Sequence, residues 1–276
     1  MFSIVSNSTE LARKLLSTEA RATLAQESSM VLRDGMRLFF RVWRPIAVLG
    51  ESGKSSKAVF LFHRGHEHSG RLQESVEDLN FQDRWVFAWD ARGHGKTGGK
   101  LESFEQLVDD ADQFISFVAQ RYNIDLGASA VVSHSFSSVA LGSWIQKYKP
   151  CIAAHVMLAP AFKINLFVPF SYLKFWVSIF PEAQVRSFVS GRVLTRNREE
   201  ARCYDNDETI TRDISVNTLL GLREASCSLI AGANEISVPT LLLISGSDFI
   251  VDRSEQMRFF EALPQKYNNN NNKYNN

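Results

Sequence analysis

From about residue 30 onward two kinds of segment alternate along the chain, and this alternation narrows the choice of folds more than any other feature. Short β-branched and aromatic runs read as strands: LFFRVW (38–43), AVFLFH (58–63), WVFAWD (85–90), AVVSHS (130–135), AAHVML (153–158) and TLLLIS (240–245). Patterns of helical period lie between several of them. Over 103–122, Phe104, Leu107, Val108, Ala111, Phe114, Ile115, Val118 and Ala119 share one face, and Ser103 with Gln106 predicts a capping box. Further helices are expected from Ser137 to Tyr148, closed by Pro150, over 216–231 and near 253–262. Nearly continuous apolar strands interleaved with helices predict an α/β fold whose mostly parallel sheet is covered by helices on both faces.

Between Phe162 and Ser215 the alternation lapses. FKINLFVPFSYLKFWVSIF is dense in aromatic residues, and the following RNREEARCYDNDETITRD is polar and tolerates helix. A two-helix insertion over the sheet fits this stretch better than another strand–helix unit; the alternative is that these aromatics are simply more core. The expected organisation is an N-terminal helical segment (1–29), a first core part (30–161), an aromatic cap (162–215), a second core part (216–263) and an Asn-rich tail (264–276). The tail, ending QKYNNNNNKYNN, has no apolar periodicity and is expected to be disordered.

Composition excludes several function classes. With 31 Lys plus Arg against 30 Asp plus Glu, the net charge is +1, so no general attraction to nucleic acid or an anionic membrane follows. Cys151, Cys203 and Cys227 stand far apart with no CxxC pair, which suits free thiols in a reducing cytoplasm. No basic stretch followed by an apolar run opens the chain, so no signal peptide is expected. The longest apolar stretch, 166–180, is interrupted by Pro169 and Lys174 and is too short to cross a bilayer. A cytoplasmic protein is the expectation.

The chemistry-bearing motifs fall at strand ends. Ser133-His134-Ser135-Phe136-Ser137 follows a strand and opens a helix, the context of a nucleophile elbow usually written G-x-S-x-G. The central serine of such a turn is held in a strained backbone conformation with its hydroxyl above the sheet, and the flanking positions must be small. Serine stands at both flanking positions here. His63-Arg64-Gly65-His66-Glu67-His68-Ser69-Gly70-Arg71 follows a second strand, Asp90-Ala91-Arg92-Gly93-His94-Gly95 a third, and Gly246-Ser247-Asp248-Phe249-Ile250-Val251 the last. The four strings together resemble the α/β-hydrolase fold. Within it they look most like the monoacylglycerol lipase and lysophospholipase branch of the serine aminopeptidase S33 type, over about residues 30–263.

That resemblance implies a serine hydrolase of carboxylic esters working through an acyl-enzyme, with a small acyl ester as substrate, no metal and no organic cofactor. Ser135 would be the nucleophile, Asp248 the acid that orients a histidine, and the backbone N–H groups of Gly65 and Phe136 the oxyanion hole. The cap would form an apolar slot for an acyl chain, and peripheral contact of the cap with a membrane is compatible with it. Two departures stand out. Arg64 replaces the glycine expected after His63, and all six histidines (63, 66, 68, 94, 134 and 155) precede Asp248. The family's histidine is due roughly 25–30 positions past the acid, where the Asn-rich segment stands, so the expectation is a truncated or frame-shifted chain with impaired chemistry.

Other readings of the same residues are weaker. His134, next to Ser135 on a strand, should point to the opposite face. His155 reads as a satisfied core histidine, His63 as a holder of its own loop, and His94 as a strand-end residue near the site. His63, His66, Glu67 and His68 match neither zinc motif built on two histidines and a glutamate, and Glu67, His68 and Arg71 are expected to anchor their loop. RGHGKTGG (92–99) lacks the spacing of a phosphate-binding loop and reads as a turn. The rival functions are a non-catalytic relative that binds a ligand or partner, and the N-terminal hydrolase part of a longer multifunctional chain.

Overall fold

The apolar runs become strands because their backbone groups pair with each other while both faces are covered by helices. In the computed structural model, which describes residues 25–45, 56–81, 83–165 and 168–264, the strands are β1 (Gln26–Val31), β2 (Arg37–Trp43), β3 (Ala58–Phe62), β4 (Trp85–Trp89), β5 (Ala130–His134), β6 (Ala154–Leu158), β7 (Gln184–Arg186), β8 (Asp213–Ser215) and β9 (Thr240–Leu243). Seven of them form one sheet in the order β1-β2-β4-β3-β5-β6-β9. β1 with β2 and β2 with β4 are antiparallel; every other pair in that sheet is parallel. All five residues of the central β3 are buried, as its unbroken AVFLF demands.

Eight α-helices are described: α1 (Gln73–Leu79), α2 (Phe104–Tyr122), α3 (Phe136–Tyr148), α4 (Phe170–Ile179), α5 (Gly191–Leu194), α6 (Arg198–Asn206), α7 (Val216–Ala231) and α8 (Arg253–Ala262). On α2 the apolar face is buried from Phe104 to Val118, and Phe114 packs its ring edge against Phe40 of β2 and Phe60 and Phe62 of β3. Half of its capping box forms as expected: the Ser103 hydroxyl accepts from the Gln106 N–H at 3.1 Å. The Gln106 side chain closes the box one residue early, accepting from the Glu102 N–H at 3.1 Å.

Two expectations are corrected. Residues 26–29, read as the end of an N-terminal helical segment, lie in β1, where Gln26 to Val31 pair with β2; long-range pairing overrides the local preference. Residues 1–24 fall outside the described residues, as do 265–276. The stretch after β6 holds more than two helices: α4, the single-turn α5 and α6 are joined by a ribbon in which β7 pairs antiparallel with β8. Each ribbon strand has three residues, too short for alternation to be read from sequence.

Among the described residues the sheet ends on β9, whose Leu241 and Leu243 are exposed. Among the described residues no helix is long and apolar enough to cross a membrane.

Candidate active site

Ser135 occupies the bend between β5 and α3 with φ 55° and ψ −112°. An L-residue reaches this region only at a cost, so its surroundings must hold it there. They do so at both backbone groups. The Ser135 N–H donates to Leu158 C=O at 2.8 Å, and the Ser135 C=O accepts from the Ser138 and Ala161 N–H groups, each at 3.1 Å. The side chain makes no cap bond to α3.

The two serines that stand where the elbow pattern has glycine are both employed. Ser133 is fully buried, and its Oγ lies 2.7 Å from His155 Nε2 on the neighbouring strand. Ser138 joins this network, its hydroxyl donating to Ser133 C=O at 2.8 Å. The Ser137 hydroxyl donates to His63 C=O at 2.5 Å, which ties the start of α3 to the loop after β3. Loss of either hydroxyl would break these bonds inside the core.

That tie brings the two expected oxyanion donors together. A Cβ built on Gly65 would lie 3.6 Å from Phe136 Cβ. Among the described residues neither the Gly65 nor the Phe136 N–H donates to a protein acceptor. His63 fixes the loop beneath them: its Nε2 accepts from the Ala91 N–H at 3.0 Å, so its proton is on Nδ1, which donates to Arg64 C=O at 2.8 Å. Burial lowers the His63 pKa and keeps the ring neutral.

Arg64, where the motif has glycine, does not collapse the loop. Its side chain runs to Glu67, 2.6 Å from Nη2, and lies over the Tyr204 ring at 5.6 Å. Burial works against the Glu67 carboxylate, but Arg64 and Arg71 outweigh it and hold its pKa below the usual range. Glu67, His68 and Arg71 anchor the loop as expected, with His68 Nε2 also reaching Asp207 at 3.0 Å. His66, at φ 75°, pairs reciprocally with Thr211: its ring Nδ1 is 2.6 Å from Thr211 C=O and the Thr211 N–H donates to His66 C=O at 3.0 Å. Residues 92–99 form the expected turn, with Gly93, Gly95, Gly98 and Gly99 all at positive φ.

Asp248 is half-buried in the loop after β9. Its Oδ1 accepts from the Ile250 and Val251 N–H groups at 2.8 and 3.0 Å, which leaves Oδ2 without a partner among the described residues. The loop is braced by Asn165 and Asp252 backbone bonds to the segment after β6. Of the histidines, 63, 66, 68, 94 and 155 are hydrogen-bonded. No hydrogen bond holds the His134 ring among the described residues, and burial lowers its pKa to about 4 against the opposing charges of Glu67 and Asp248.

A cavity of about 450 Å³ opens over Ser135 and Phe136. Leu101, Phe136, Leu173, Val185, Leu219 and Leu222 give it apolar walls, while Arg64, His66, His94, Tyr204 and Thr211 make a polar side. Sequence reading did not single out Tyr204 or Thr211. The available signal was slight: Tyr204 is the one aromatic residue in the polar stretch 196–213.

A mostly parallel sheet, a strained serine at a strand-to-helix bend and a cavity over that serine define an α/β hydrolase. The family model for serine aminopeptidase S33 matches residues 53–275, and the chain belongs to that family. It is 40% identical over 235 residues to the uncharacterized protein YnbC of Escherichia coli, matching 83% of this chain and 39% of that longer protein. It is 26% identical over 255 residues to the monoglyceride lipase of Rattus norvegicus, covering 86% of this chain and 78% of the lipase. The crystal structure of Paleococcus ferrophilus monoacylglycerol lipase superposes with a TM-score of 0.67 at 22% identity, over 87% of this chain and 84% of the other.

Proposed function

We propose that this chain is a serine hydrolase of carboxylic esters, acting on monoacylglycerol-like or lysophospholipid-like substrates through an acyl-enzyme. The observation that carries the reading is the backbone of Ser135 at φ 55° beside two N–H groups with no protein acceptor among the described residues. In this reading Ser135 Oγ attacks the ester carbonyl, and the carbonyl oxygen, becoming negative, accepts from the N–H groups of Gly65 and Phe136. Such donors act on charge that exists only in the tetrahedral intermediate, and each is worth ~2.7–4 kcal/mol. The intermediate expels the alcohol, and water then releases the acid from the serine ester. The apolar walls take the acyl chain.

Asp248 is the acid of this mechanism, and its open Oδ2 suits a bond to an imidazole N–H. No histidine follows Asp248 in these 276 residues, and no base is assigned to Ser135 here. Residues 162–215 serve as the cap, and its exposed Phe175, Ile179 and Phe180 suit peripheral contact with a membrane. The reading needs neither metal nor organic cofactor. A cytoplasmic location goes with it, since all three cysteines are free thiols.

The test is hydrolysis of p-nitrophenyl esters of short and long acyl chains by the protein and by Ser135→Ala. The proposal expects measurable turnover, favouring the longer chain and lost in the variant. Turnover that survives Ser135→Ala rejects it, and ligand binding with no turnover at all favours a non-catalytic relative.

A further inference from the structure

The polar side of the cavity abuts a cluster of guanidinium groups. Three guanidinium groups surround one ring: Arg64, Arg71 and Arg212 lie 5.6, 5.5 and 5.4 Å from the centroid of Tyr204. Their neutralisation is uneven. Arg71 has Glu67 at 3.1 Å, Glu200 at 3.6 Å and Asp207 at 3.8 Å, and Arg212 has Asp205 at 3.8 Å and two carbonyl oxygens. Arg64 has Glu67 alone among the described residues, and shares it with Arg71. Of the three, Arg64 is the one that lines the cavity.

Two polar groups on this side have no partner. Arg64 Nε is buried without an acceptor. Tyr204 is 2% exposed and lines the cavity, yet its hydroxyl makes no hydrogen bond among the described residues. A buried donor is ordinarily satisfied, and leaving Arg64 Nε unmet is costly. Of the four Lys and Arg residues that line the cavity, Arg92 is held by Asp34 and Asp110 and Lys100 by Glu182. Arg64 directly precedes Gly65 and lines the same cavity as Ser135.

We infer that Arg64 and Tyr204 form a subsite for a phosphate group on the alcohol half of the ester, so that the preferred substrates are acyl esters of a phosphorylated alcohol rather than neutral acylglycerols. The inference rests on the ester-hydrolase reading of Ser135 and names its substrate class. An oxygen of the phosphate accepts from the Tyr204 hydroxyl while the guanidinium supplies charge and further N–H donors, the pairing arginine makes best. The phosphate is bound and not transferred; the bond that breaks is the acyl C–O bond, water supplying OH to the acid and H to the alcohol.

Two measurements keep this inference separable from the hydrolase reading. Rates are compared for 1-acylglycerol and its 3-phosphate with the same acyl chain, below micelle formation, in the protein, Arg64→Gln and Tyr204→Phe. Binding of the matching non-hydrolysable ether lipids, and of inorganic phosphate alone, is followed by calorimetry. The phosphate ether should bind at least about tenfold tighter than the neutral ether, and both variants should reduce that ratio by about tenfold. That binding result without turnover supports the subsite and rejects the hydrolase reading. Turnover of both esters with equal kcat/KM, unchanged in ratio by either variant, supports the hydrolase and overturns the subsite. Inorganic phosphate binding as tightly as the phosphate ether also overturns it, by assigning the cluster to the free anion.

Discussion

Replacing Ser135 by glycine and by alanine separates what its backbone costs from what its hydroxyl does. Both variants remove Oγ, and neither removes a cap bond, because the Ser135 side chain makes none. They differ only in Cβ, at a residue held at φ 55° and ψ −112°. A non-glycine residue in such a region costs about 1–3 kcal/mol, and glycine enters it freely at an entropic cost of about 0.4–1 kcal/mol in the unfolded chain. The balance favours Ser135→Gly over Ser135→Ala by roughly 1 kcal/mol. For a chain of this size that is a rise of about 2–4 °C in Tm. Ser135→Ala itself should stay close to the unaltered protein, and neither variant should hydrolyse an ester. Urea midpoints with thermal melts on all three proteins read the difference. A glycine variant less stable than the alanine variant by about 0.5–1 kcal/mol, the ordinary penalty of glycine, would refute the strained-elbow reasoning.

Three further outcomes follow from named contacts. Arg92 holds Asp110 through two hydrogen bonds of 2.9 and 3.0 Å with both side chains buried, so Asp110→Ala should cost about 3–5 kcal/mol and a double replacement by apolar residues should recover most of it; a loss under about 1 kcal/mol in the urea midpoint contradicts this. His94 and His155 are lowered to about 3 and His134 to about 4, chiefly by burial, whereas the unfolded chain binds these protons near pH 6.5. Their share of the stability is present above pH 6.5 and is lost as pH falls toward 4, with a combined slope of about 4 kcal/mol per unit, and a urea midpoint that stays flat between pH 7 and 5 rejects it. Added imidazole should raise ester hydrolysis above the level of Ser135→Ala in the same buffer, and less so in Asp248→Asn; equal stimulation of all three proteins shows that the cavity supplies no site for an added base.

The sheet was legible because burial on both faces leaves a strand no polar positions: AVFLF and WVFAW are long enough to read, and the helix of 104–122 announces itself by its face. What could not be read was made by distant pairing. β1 is half exposed and mixed in composition, and it is a strand because β2 runs beside it. The ribbon of β7 and β8 has three residues a side. At the site, the elbow serine, the loop at 63–71 and Asp248 all stood out as short strings at strand ends. Their supports did not, since nothing local links Ser133 to His155 or Ser137 to the carbonyl of His63. The serines in the two glycine positions were the one visible sign that the elbow carries extra bonds. Tyr204 reaches the cavity only because α6 packs its loop partners Arg64 and Arg71 around the ring.

Mass-spectrometric mapping of the adduct formed with a fluorophosphonate probe examines the nucleophile itself. The site geometry predicts a single adduct on the peptide carrying Ser135, absent from the folded Ser135→Ala protein. An adduct on Ser133, Ser137 or any other residue, or none at all on protein whose melting curve shows it folded, contradicts it.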